Sequence, residues 1–178
     1  MGTLSDAHRG SFSSIEGRYT IALPKGIGGF SEGTFQWRLP EGYFTVGYMD
    51  SDEDLEISRD VMARALRQAE AAILDFNRWL LVMPVPTPQL SHKSLKFDGH
   101  PAVELRAQMP DGLAIARSIV FKKRIYSLAV MLVSDQQKNA VRAIEVFDSF
   151  RITPNEEADA IMKKRIADAT PASLPQEP

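Results

Sequence analysis

GHPAVELRAQMPDGLAIARSIVFKKRIYSLAVMLV, residues 99–133, holds three runs of strand length separated by PDG and KKR. Strand-length apolar runs punctuated by turn residues read as a β-meander. Asp111-Gly112 suits a two-residue mirror-image turn, because glycine takes positive φ without a Cβ clash. That turn would pair Met109 with Ala114, Leu105 with Ser118 and Val103 with Val120. One face of the meander then carries Val103, Leu105, Ala107, Met109, Ala114, Ala116, Ser118 and Val120, a floor of small apolar residues suited to a closely packed helix. The other face carries Leu113, Ile115, Arg117, Ile119 and Phe121 beside Glu104, Arg106 and Gln108. Any even-length turn at KKR adds Tyr126, Leu128, Val130 and Leu132 to that second face. A sheet that is apolar on both sides needs covering layers on both sides.

Outward from the meander, the rest of the chain supplies those layers. Leu55, Ile57, Val61, Met62, Ala65, Leu66, Ala69, Ile73 and Phe76 recur at helical spacing, predicting a helix over about 55–76. The acidic DSDED before it complements a helix dipole, and it lacks the spaced oxygens, glycine and distal glutamate of a cation loop. A second helix is predicted over about 136–150, with Val141, Ile144, Phe147 and Phe150 on its stripe. Phe12 to Leu23 reads as a first strand, and Thr34–Leu39 with Gly42–Met49 as a hairpin turning at Pro40-Glu41-Gly42. KGIGGFSEG between them is expected to be a flexible loop, since its glycine order is not a phosphate-binding fingerprint and a strand follows it. Lys93–Phe97 is a short strand before an Asp98-Gly99 turn, and Arg151–Thr153 a last one. The fold class is therefore α+β, a sandwich with a central antiparallel sheet between two helices.

The domain organisation expected is a disordered N-terminus at 1–11, one domain at 12–153, and a C-terminal helix with a disordered tail at 155–178. With 178 residues, 44% of them hydrophobic, and a net charge of −2, the chain can bury one real core and has no basic excess for nucleic acid. No run approaches the roughly 18 apolar residues of a membrane span, and the first residues lack the apolar core of a signal peptide. A cytoplasmic location, or the cytoplasmic face of a membrane complex, is expected, or export if a signal has been removed. Cysteine is absent, which excludes disulfides, thiolate metal sites and cysteine nucleophiles.

Chemistry-bearing motifs are few. His8, His92 and His100 lack metal-ligand spacing, and neither GxSxG nor SxxK occurs, so no catalytic, cofactor or metal residue is assigned. Glu104, Arg106 and Arg117 fall together on an apolar sheet face, where they form either a structural ion pair or an anchor for a small acidic ligand. Lys122, Lys123 and Arg124 make a basic hairpin tip, without an aromatic platform for nucleic acid. The oddest segment is Trp79, Leu80, Leu81, Val82, Met83, Pro84, Val85 and Pro86, an apolar run passing into alternating prolines. Prolines there predict an extended connector, and so much contiguous apolar surface predicts either packing under the chain's own first helix or a protein-docking element covered by a partner.

Four stretches, GRYTIALP, GYFTVGYMD, the meander itself and VFDSFRI, together resemble the PsbP-like family over Tyr19 to Ile152. The resemblance implies an α/β/α sandwich and a non-catalytic accessory subunit or adaptor on a larger assembly, for which a membrane-bound photosynthetic complex is a candidate, with peripheral membrane contact through partners. Its alternatives are a module for a small acidic or amphiphilic ligand and, last, an enzyme using carboxylate chemistry. This chain departs from bacterial relatives by showing no export signal, and from the family pattern by the Trp79–Pro88 insertion and the C-terminal helix.

Overall fold

The structure is a computed structural model that describes residues 9–24, 27–31, 34–39, 42–56, 60–80, 89–109, 112–132 and 137–153. The described elements are, in chain order, β1 (Arg9–Ser14), β2 (Tyr19–Pro24), β3 (Ile27–Ser31), β4 (Thr34–Leu39), β5 (Gly42–Asp50), α1 (Val61–Leu80), β6 (Gln89–Phe97), β7 (His100–Met109), β8 (Gly112–Phe121), β9 (Arg124–Leu132), α2 (Gln137–Asp148) and β10 (Arg151–Ile152). Seven strands form one antiparallel sheet in the order β3-β4-β5-β9-β8-β7-β6. A smaller sheet has the order β1-β2-β10.

After β5 the chain passes through α1, which packs over β7, β8 and β9, and re-enters the large sheet at its edge as β6; the hairpins of β6 to β9 then walk it back until β9 lies beside β5.

The two faces are those the alternation predicts. Under α1 lie Leu105, Ala107, Met109, Ala114, Ala116, Ala129 and Met131, packed against Ala69 and Ile73. Val103, Val120 and Ile125 extend this layer towards Ala65 and Leu55. Alanine on both helix and sheet brings the two backbones close, because neither side holds the other off. The opposite face carries the larger core, where Ile115, Ile119, Tyr126, Leu128 and Val130 meet Phe147 and Phe150 and the Tyr19, Ile21 and Leu23 side chains of β2. The small sheet and α2 together form this second covering layer.

Several local expectations are corrected. β7 and β8 pair Met109 with Gly112 and Leu105 with Ala116, so the register is two residues tighter than the Asp111-Gly112 turn would make it. A shift of two keeps every side chain on its face. α1 begins at Val61 and ends at Leu80. Leu55 is buried in the preceding loop, where its N–H donates to the Lys122 carbonyl at 2.8 Å. Trp79 and Leu80 accordingly belong to the last turn of α1 and not to an extended connector. Ile27–Ser31, expected as loop, is edge strand β3, and Arg9–Ser11, expected to be disordered, open strand β1. Residues 1–8 and the C-terminal helix and tail at 155–178 lie outside the described residues.

Candidate functional site

The register that corrects the hairpin turn also assembles the charged cluster. Glu104 on β7 stands directly opposite Arg117 on β8, in a row that continues through Leu128 on β9, Val46 on β5 and Phe35 on β4. On the other side of Glu104 the row ends at Lys93 on β6. A carboxylate and a guanidinium thus sit at the end of a line of buried apolar side chains.

The Glu104 side chain is 0% exposed and that of Arg117 5%. Arg117 Nη2 donates to Glu104 Oε2 at 2.9 Å, and Nη1 donates to Asp148 Oδ1 on α2 at 2.6 Å. The second Glu104 oxygen, Oε1, accepts from Arg106 Nη2 at 3.1 Å and lies 3.0 Å from Lys93 Nζ. The Arg117 guanidinium also lies over the rings of Phe147 at 5.4 Å and Phe97 at 5.7 Å. Its Nε, buried, has no hydrogen-bond partner. Burial by itself would raise the Glu104 carboxyl, but the hydrogen bonds from Arg117, Lys93 and Arg106 outweigh it and hold the group below its ordinary range.

This arrangement ties the sheet to α2. Both Arg117 terminal nitrogens already serve protein carboxylates, so an acidic ligand would have to displace buried Glu104 to use them. Lys93 and Asp148 complete the network and were not among the residues predicted from sequence. They come from an edge strand and a helix whose register against the meander no local pattern encodes. The direct opposition of Glu104 and Arg117 was legible in principle, since unlike charges facing each other across a hairpin favour one register.

Of the predicted docking segment, Trp79 and Leu80 lie in α1, and Leu81, Val82, Met83, Pro84, Val85 and Pro86 lie outside the described residues. The basic tip is confirmed in outline, with Lys122-Lys123 forming the two-residue turn between Phe121 and Arg124. Arg124 turns back from it, making a two-pronged contact with Asp50 at 2.5 and 2.7 Å and donating to the Gly17 carbonyl at 2.9 Å. Among the described residues no group of histidine and acidic side chains is arranged to hold a metal ion, and no helix is long and apolar enough to cross a membrane.

No protein-family model matches the chain, and no curated protein matches it in sequence. Its fold does match solved structures. The solution structure of cyanobacterial PsbP (CyanoP) from Synechocystis superposes with a TM-score of 0.57 at 15% identity, over 85% of this chain and 96% of that one. The fold is therefore PsbP-like. A Bacteroides thetaiotaomicron protein matches more loosely, at TM-score 0.44 and 14% identity over 83% of this chain and 49% of that one. So does PA94 of Pseudomonas aeruginosa, a protein of unknown function, at TM-score 0.37 and 13% identity over 94% and 99%.

Proposed function

We propose that the protein is a non-catalytic accessory module that docks on a larger protein assembly. The observation that carries this reading is the pair of exposed leucines bracketing the apolar, proline-rich stretch. Leu74 on α1 is 55% exposed and Leu90 on β6 49% exposed, while most large apolar side chains of these layers are buried. Leaving such side chains in water forfeits the roughly 1.5–3 kcal/mol that burying each would return, which a partner surface would recover. The PsbP-like fold supports the same reading, since members of that family mostly act as accessory subunits. A membrane-bound or photosynthetic assembly, met at its cytoplasmic face, is the more specific form of the proposal.

The test replaces Trp79, Leu81 and Met83 with serine in one variant, and Leu74 and Leu90 with serine in another. Each is compared with the unaltered chain by co-purification from the native source and by thermal melting. Loss of the co-purifying proteins with an unchanged melting temperature supports docking. Retained association in both variants removes the reading, and a collapsed melting temperature in the first variant places Trp79, Leu81 and Met83 in the protein's own core and removes that segment from the docking surface.

A further inference from the structure

The cations of the hairpin tip have a partner surface within the molecule. A cavity of about 680 Å³ opens where the tip of the large sheet meets the small one, and Lys122 and Lys123 line one wall while Arg18 and Arg151 line the other. Phe121 and Tyr126 also line it. The volume lies within the range of about 300–1,000 Å³ typical of small-ligand sites. Its lining holds five cationic side chains and two carboxylates, and one of those carboxylates, Asp50, is already held by Arg124.

The backbone around this cavity carries a second, independent sign. Arg18 (φ 56°), Asp98 (φ 47°) and Lys122 (φ 52°) are left-handed, and all three line it. Lys122 occupies the first central position of its two-residue turn, where positive φ is required and glycine or asparagine is the cheap choice. Arg18 closes its own turn in the same conformation, with its N–H donating to Ile15 at 3.2 Å. Strained residues gather where a side chain is needed for something other than stability. Here the tolerated side chains at Arg18 and Lys122 are long cations.

The frame is also held in place before any ligand arrives. The Lys122 and Lys123 carbonyls accept from Leu55 and Ser51, the Arg18 carbonyl accepts from Thr153 at 2.9 Å, and Arg124 grips the loop before Arg18. Each wall is thus pinned by backbone bonds to a different element, which lowers the ordering cost of binding.

We propose that this cleft is a binding site for a small organic polyanion bearing phosphate or clustered carboxylate groups, held by Lys122, Lys123, Arg18 and Arg151 with its body against Phe121. The site is independent of the docking role, and shares no residue with the segments tested there. Lysine and arginine together suit such a ligand, one as mobile point charges and the other as a planar fork.

The experiment is calorimetric titration of the full chain with pyrophosphate and, separately, with citrate, at low salt and again at raised salt. Saturable one-to-one binding of either anion, weakening as salt rises, is expected. Pyrophosphate alone would identify phosphate as the recognised group, and both together a site that reads charge density. Lys122→Gly is expected to weaken binding at least tenfold while its melting temperature stays level or rises, and Lys123→Ser to weaken it without altering the fold. The proposal is overturned by the absence of saturable binding for both anions, by affinity unchanged in both variants, or by a lowered melting temperature in Lys122→Gly with binding intact. Binding of a hexaglutamate peptide where neither small anion binds would also overturn it, and would mark the cleft as a protein contact.

Discussion

Glu104 is buried with its charge retained, so its energetics depend on every partner staying in place. Removing Arg117 would strand a carboxylate out of water, and Arg117→Ala is expected to cost about 3–5 kcal/mol, as breaking buried ion pairs does. Lys93→Ala and Arg106→Ala, whose side chains are 61% and 44% exposed, should each cost less than about 1 kcal/mol. Chemical denaturation of the single variants and of Glu104→Gln with Arg117→Met as a double-mutant cycle separates the pair from its surroundings, and additive effects would deny the coupling. The same carboxyl makes stability depend on pH. Because its folded value is depressed, the stabilisation is complete above the value of an unfolded glutamate, about 4.3, and is lost as pH falls through the lower folded value. Asp50, held down chiefly by its hydrogen bonds from Arg124, adds loss of the same sign. Melting temperatures between pH 7 and pH 3 should therefore fall less steeply in Glu104→Gln than in the unaltered protein.

The layer between α1 and the sheet depends on smallness. Ala69 packs with Ala107, Ala114, Ala116 and Ala129, all of them fully buried. Ala116→Leu adds volume with nowhere to go and should cost about 1–3 kcal/mol, read as a lower denaturation midpoint. This layer and the meander were legible because alternation is a strong signal and its strands are long. β3 was not, because IGGFS carries two glycines and looks like a loop. Yet a Cβ built at Gly28 would overlap the Trp37 ring, so the glycine marks a close approach within the sheet. β1 was missed because RGSFSS is mostly polar; its anchor is one residue, Phe12, stacked on Phe35 at 3.8 Å between centroids. The start of α1 was misplaced because Leu55 falls at helical spacing by coincidence while filling a loop position against Val103 and Ile125. The Glu104–Arg117 pairing lay within reach of the sequence once the register was known, but Asp148 depended on tertiary packing alone.

At the scale of the fold, the two described sheets and two described helices close around the meander, and among the described residues the last buried side chains are Phe150 and Thr153. Deleting residues 155–178 should therefore leave a domain that still melts cooperatively, and a vanished transition would show that the core continues beyond Thr153. Among the described residues no strand pairs with the outer side of β3 or of β6, the two ends of the large sheet. Along the β6 edge Ser91, His92, Lys93, Ser94 and Lys96 are all exposed. An unpaired edge is a template for intermolecular strand addition, and lysine on it is a common deterrent. Lys93 thus guards the border of the sheet with the same ammonium that neutralises Glu104 within it. Lys93→Val would leave the Glu104–Arg117 contact standing and change melting only slightly, but should make the protein self-associate with rising concentration, as light scattering would record. Monodisperse behaviour of that variant at high concentration would mean the edge is protected by something other than its charge. Otherwise, selection against fibre growth and the balance of charge in the core act on one side chain.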